Sequence, residues 1–234
     1  MPYQFQSRIR YSEIGENKRL TLPGLINYFQ DCSTFQSEEL GNGVNDMYTK
    51  GKVWVLAYWQ IEINKLPVLG EAITTQTWAH AFKGFQGERN YRMLNAEGNS
   101  IACANSLWIY VDLQTGHPVR VDKEVQERYP MEPALEMERI SRKIRVPEGG
   151  VTEEAFKVCH HHLDTNHHVN NAQYIDMAQE YLPKEWKLSR VRAEYKNQAV
   201  LGDMICPVVS RAENRVTVDL RSENGRSYAI VEFA

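Results

Sequence analysis

A phrase that occurs twice constrains this chain more than any other feature. Val68-Leu69-Gly70-Glu71-Ala72-Ile73 is echoed by Val200-Leu201-Gly202-Asp203-Met204-Ile205, an offset of 132 (68 to 200). Gly98-Asn99-Ser100-Ile101-Ala102 is echoed by Gly225-Arg226-Ser227-Tyr228-Ala229, an offset of 127 (98 to 225). Two echoes in the same order at nearly equal spacing point to a duplicated unit. A length of 234 residues fits one large domain or two small ones, so the repeat, not the length, argues for two.

The first unit can be read element by element. Residues 5–14 alternate polar and apolar, as a strand does. Leu22, Leu25, Ile26, Phe29 and Cys32 form a helical stripe that reaches towards Leu40, where Gly41-Asn42-Gly43 stops it. Val53 to Ile63 and Ala72 to Ala81 are expected as long strands joined near Leu66–Gly70. Phe85 to Leu94 and Ile101 to Val111 form another pair, turning at Ala96-Glu97-Gly98-Asn99. One helix followed by antiparallel strands is therefore expected twice. Between the copies lies a charged stretch with Pro118, Pro130, Pro133 and Pro147, which has the composition of a connection. The expected division is 1–120, a connecting segment 121–152, and 153–234.

Composition narrows the partners and the compartment. Hydrophobic content of 42% and charged content of 24% are ordinary for a soluble globular protein. A net charge of −3 gives no reason to expect nucleic acid. The first ten residues lack the apolar core of a signal peptide, and no apolar run approaches membrane-spanning length. Cys32, Cys103, Cys159 and Cys206 are scattered without a C-x-x-C, which suggests reduced thiols in a cytoplasm.

Chemistry concentrates in Leu163-Asp164-Thr165-Asn166-His167-His168-Val169-Asn170-Asn171-Ala172-Gln173-Tyr174. Asp164, Asn166 and His168 stand at alternate positions, so on an extended segment all three would face one reacting atom. Ala172, Ile175, Ala178 and Leu182 then recur at helical spacing, with Asn170 or Asn171 available as N-cap. Two readings stand side by side. Asp and Asn ahead of a helix are ordinary turn and capping residues. The same residues with histidine are also the tools of proton transfer, and free amides at a helix start favour a developing oxyanion.

Asp164-x-Asn166-x-His168-Val169-Asn170-Asn171-x-x-Tyr174 resembles the active-site loop of the acyl-ACP thioesterases, the plant plastid enzymes and their bacterial relatives. The similarity continues through Glu194-Tyr195 and extends over most of the chain. It implies an α+β fold of two tandem hot-dog domains, each a helix wrapped by a curved antiparallel sheet. It also implies that Asp164, Asn166 and His168 are the catalytic Asp, Asn and His. In one respect the chain departs from the plant pattern: Gln198 and Ala199 stand where those enzymes carry an acidic residue and often a cysteine. An amide cannot take a proton, so Gln198 is the weaker member of the expected set.

The implied reaction is hydrolysis of an acyl-ACP thioester, releasing free fatty acid and ending chain elongation. It needs an activated water, an oxyanion site and a thiolate leaving group, whose low pKa demands little acid help. Asp164 would activate the water directly or through His168, with a covalent acyl-aspartate as the alternative. Asn166 would hold a water or the thioester oxygen, and the amides near Val169–Asn171 would polarise the carbonyl. The first half has Ile14-Gly15-Glu16-Asn17-Lys18-Arg19-Leu20 before its helix, with no histidine. One half is thus expected to carry the chemistry and the other to shape the acyl pocket. Tyr28, Phe29, Trp54, Tyr58 and Trp59 are candidates for its walls, with plain core as the competing role.

No cofactor is expected. The partner would be the strongly acidic acyl carrier protein, received by Arg139, Arg142, Lys143 and Arg145 or by Lys184, Lys187, Arg190, Arg192 and Lys196. Membrane insertion is not expected, and the chain could stand alone or as a homodimer. Competing readings are an acyl-CoA thioesterase, a hot-dog dehydratase, a metal-dependent hydrolase using His160, His162, Asp164 and His168, and a non-catalytic acyl-binding module.

Overall fold

The protein, described here from a computed structural model covering residues 1–234, divides into two compact units. One comprises Met1–Ala57 and Ile61–Glu138; the other comprises Tyr58–Gln60 and Arg139–Ala234.

The first unit runs β1 (Tyr3–Arg8), a 3-10 turn (Tyr11–Glu13), α1 (Leu22–Glu39), α2 (Val44–Thr49), β2 (Lys52–Ile63), β3 (Ala72–Lys83), β4 (Gln86–Leu94), β5 (Ser100–Asp112) and α3 (Lys123–Arg128). Its strands lie in the order β1-β3-β4-β5-β2. The first three neighbouring pairs in that order are antiparallel. Thr21 caps α1 by accepting the Gly24 amide at 3.1 Å, and Pro23 fits the first turn, where no amide is needed. The helix buries Leu22, Leu25, Ile26, Phe29 and Cys32 on one face. Burial of each large apolar side chain contributes roughly 1.5–3 kcal/mol. That face meets the sheet where Cys32 Sγ donates to the Thr75 carbonyl at 3.4 Å and Arg89 donates to Gln36 and Thr77.

The expected strand over 5–14 is shorter than the alternation suggests. It ends at Arg8, and the Glu13 carboxylate accepts the Arg10 amide at 2.8 Å, which closes a turn in place of further pairing.

The second unit repeats this plan with β6 (Val151–Thr152), β7 (Phe156–Lys157), a 3-10 turn (His160–His162), α4 (Asn171–Gln179), β8 (Arg190–Tyr195), β9 (Met204–Ala212), β10 (Arg215–Arg221) and β11 (Ser227–Phe233). The order is β8-β11-β10-β9-β6, with β7 also paired to β9. α4 stops at Gln179, so Leu182 lies beyond it; Pro183 follows and cannot continue a helix.

The repeat extends to individual hydrogen bonds. Gly70 and Gly202, both at positive φ (78° and 90°), donate to the Ile9 and Val158 carbonyls at 2.9 and 3.1 Å. The Val68 amide is accepted by Glu71 and the Val200 amide by Asp203, each at 3.0 Å. The acid shared by both copies of the echoed phrase is therefore a turn cap, and its glycine supplies the left-handed backbone that the turn requires.

The stretch 121–152 is not a free linker. Val121, Val125 and Tyr129 join a buried cluster of the first unit, and Pro133 and Leu135 are tied to Trp78 and Asn90. Past Arg139 the chain is tied to β8 and β9 of the second unit. The Ser141 carbonyl accepts from Arg192 at 2.8 Å, the Ile144 amide donates to Glu194 at 2.8 Å, and the Pro147 carbonyl accepts from Ser210 at 3.3 Å.

Candidate active site

The segment 163–169 is folded into a turn, not extended. Leu163 bridges Val169, the Asp164 amide donates to the His168 carbonyl at 2.8 Å, and His167 takes φ 61° at the tip. The expectation that Asp164, Asn166 and His168 share one face of a strand is thereby corrected. They are brought near one another by a turn that the Asp164 carboxylate itself organises. Its Oδ1 accepts the backbone amides of Asn166 at 2.8 Å and His168 at 3.3 Å. Its Oδ2 meets the Asn166 side-chain amide at 3.5 Å, at the outer limit of a hydrogen bond. One carboxylate oxygen is thus committed to the fold, while the other keeps capacity for a further donor.

Asp164 acts on the His168 backbone. The His168 ring is half-buried, and its Nδ1 is enclosed without a hydrogen-bond partner in the protein. A buried unpaired nitrogen is costly in a purely structural setting and marks a functional candidate. On the other side, the Val169 amide donates to the Ala199 carbonyl at 3.0 Å and His168 bridges Val200.

Asn170 caps α4, accepting the Ala172 amide at 2.9 Å. The amides proposed for the oxyanion are partly spent: Val169 donates to Ala199 and Asn170 to the His162 carbonyl, the latter at 2.9 Å. Gln198 is exposed in the loop after β8.

His162 Nδ1 accepts the Cys159 amide at 3.0 Å, which makes it a turn cap; its counterpart Glu13 does the same for Arg10. Burial first, and then His161, lower the His162 pKa and favour the neutral acceptor form. Sequence reasoning grouped His162 with the other histidines, although its spacing matches Glu13 across the repeat (13 to 162). His160, His162, Asp164 and His168 do not gather: no three His, Cys, Asp or Glu side chains converge as an ion-holding group.

The first unit makes the same turn with different chemistry. Ile14 bridges Leu20, the Gly15 amide donates to Arg19 at 2.9 Å, and Lys18 sits at φ 60°. Gly15, Asn17 and Arg19 thus occupy the places of Asp164, Asn166 and His168. The carboxylate and the imidazole are missing there.

Of the aromatic candidates, Phe29 and Trp59 are fully buried. Tyr28 donates to Glu13 at 2.8 Å, and Tyr58 accepts from Arg192 at 3.2 Å. These four are packed core residues. Trp54 is half-buried, 4.8 Å from the Tyr110 ring and lying over Gly87. Arg192, counted earlier in a docking cluster, is buried and paired with Glu232 at 2.8 Å, so it is removed from that surface.

Comparison with known proteins settles the family. Residues 2–129 match the acyl-ACP thioesterase N-terminal domain and residues 147–232 match the C-terminal domain. The chain belongs to the acyl-ACP thioesterase family. It is 28% identical to oleoyl-acyl carrier protein thioesterase 2, chloroplastic, of Arabidopsis thaliana, over 95% of this chain and 67% of that protein. It is 26% identical to the chloroplastic acyl-[acyl-carrier-protein] hydrolase FATB3 of Cuphea viscosissima, over 95% of this chain and 59% of that one. The chain therefore spans about three-fifths to two-thirds of these two plant relatives. An acyl-ACP thioesterase from Bacteroides thetaiotaomicron shares its fold, with a TM-score of 0.89, 22% identity, and coverage of 98% of this chain and 96% of that one. The α+β tandem hot-dog architecture expected from the sequence is the architecture of this family. No helix of the chain is long and apolar enough to cross a membrane.

Proposed function

We propose that this chain hydrolyses the thioester of an acyl-acyl carrier protein, releasing a free fatty acid and the carrier thiol. The observation that carries the reading is the turn 163–169, which holds Asp164, Asn166 and His168 at the head of α4. In this reading Asp164 Oδ2, the less committed oxygen, takes a proton from water as the water attacks the thioester carbonyl carbon. The tetrahedral intermediate collapses by breaking the carbon–sulfur bond, and the departing thiolate takes up the proton. With the Val169 and Asn170 amides occupied, stabilisation of the oxyanion falls to the side chains of Asn166 and His168.

The division of labour follows the repeat. The second unit supplies the base and the imidazole; the first, with Gly15 and Arg19 in their places, contributes to holding the acyl chain. The carrier protein would be met by exposed cations in the second unit, either Arg139, Lys143 and Arg145 or Lys184, Lys187 and Lys196. Thiol release from a panel of acyl-carrier substrates and matched coenzyme A thioesters tests the reading. Faster release from the carrier-bound series is expected. Tight acyl binding without any release would favour a binding module instead.

A further inference from the structure

Ala199 has no exposed surface, and its amide donates to the Tyr174 hydroxyl at 2.9 Å. Its carbonyl accepts the Val169 amide at 3.0 Å, and its neighbour Val200 bridges His168. Ala199 is therefore gripped on both sides, by α4 through its amide and Tyr174 and by the turn 163–169 through its carbonyl. Tyr174 is itself buried, one turn into the helix that Asn170 caps. We infer that Tyr174 is a positioning residue whose hydroxyl fixes segment 198–200 against the turn bearing Asp164, Asn166 and His168.

The duplication supplies an internal control. Along the turn and helix the position matching Tyr174 is Leu25 (25 to 174), and in the echoed phrase the position matching Ala199 is Pro67 (67 to 199). The first unit keeps the equivalent carbonyl contact, from the Leu20 amide to Pro67 at 2.8 Å. It has no hydroxyl at Leu25, and proline has no amide hydrogen to satisfy. The two units differ at both partners together: hydroxyl with amide in the unit bearing Asp164 and His168, apolar side chain with proline in the unit lacking them. A buried amide left alone would be costly, so the pair changes as a pair. Burial raises the Tyr174 pKa, outweighing the lowering effect of the Ala199 amide and helped by Tyr228, Asp203 and Asp164, and keeps the hydroxyl neutral.

This inference rests on the proposed hydrolase reading, so the experiment pairs an activity measurement with a structural one. Tyr174→Phe removes only the hydroxyl; Tyr174→Phe with Ala199→Pro also removes the stranded amide, as the first unit does. In the single variant, hydrogen exchange at the Ala199 amide should speed up at least about tenfold. Its kcat on an acyl-carrier substrate should fall about tenfold with KM within about twofold, and the double variant should regain most of the loss. Wild-type kcat in the single variant would overturn the inference. So would a folded double variant as slow as the single one, since that assigns the phenol a direct part in the reaction, and so would failure of the double variant to fold. Wild-type protein inactive on every thioester, with Ala199 exchange still accelerated by Tyr174→Phe, would sink the hydrolase reading and leave the clamp in place.

Discussion

Asp164 commits one oxygen to the fold and leaves the other for the proposed proton transfer, and His162 commits a ring nitrogen to its turn. Protonation of His162 removes the lone pair that accepts the Cys159 amide. Its pKa is lowered in the folded chain, so its stabilising contribution is complete above the ordinary histidine value of about 6.5. That contribution is lost as pH falls from there towards the folded pKa. Thermal midpoints measured at about pH 7.5 and pH 5.5 should therefore drop more for wild type than for His162→Glu, which imports the acceptor used by Glu13. Equal drops would contradict the role. At this scale the candidates Asp164, Asn166 and His168 were legible in the sequence by type and order. Their arrangement was not, because an aspartate that accepts amides two and four residues on turns an apparent strand into a turn.

The element that builds the site is turn plus helix, supported by the turn of the echoed phrase. Gly202 at φ 90° allows that support, and a β-carbon there would be strained whatever the space around it. Gly202→Ala should cost about 1–2 kcal/mol in denaturant unfolding. Asn170→Ala, which leaves the Ala172 amide uncapped, should cost about 1 kcal/mol. Costs near zero would show that these turns hold nothing. β2 to β5 and α1 were legible to within a few residues, because Leu22, Leu25, Ile26 and Phe29 keep a helical period and β3 to β5 alternate between turns. The helical character of Lys123–Arg128 was hidden by the charge and prolines around it; Val125 alone carries its burial.

At the scale of the whole molecule, the repeat was the strongest signal in the sequence, and the structure extends it to matching turns, caps and glycines. What composition did not show is that the stretch between the copies is bound down, the Pro133, Ser141 and Pro147 carbonyls accepting from Trp78, Arg192 and Ser210. Arg192 was misread for a similar reason: a basic residue in a basic run, yet paired with Glu232 in the interior. Docking of an acidic carrier is therefore to be tested on exposed cations alone. Reversing Lys184 and Lys187, or Lys143 and Arg145, should for one of the pairs raise KM on the carrier-bound substrate several-fold. Hydrolysis of a small soluble thioester should be untouched, and equal loss on both substrates would contradict docking.

Hydrolysis through Asp164 is tested most directly by thiol release from acyl-carrier protein by Asp164→Asn beside wild type and His168→Ala. Asparagine keeps an oxygen that can accept the Asn166 and His168 amides, so the turn and the thermal midpoint should survive while the base is lost. A near-wild-type midpoint is expected with kcat lower by about a hundredfold or more, and a comparable fall for His168→Ala. An Asp164→Asn protein that is folded and hydrolyses the thioester at the wild-type rate would contradict hydrolysis through Asp164.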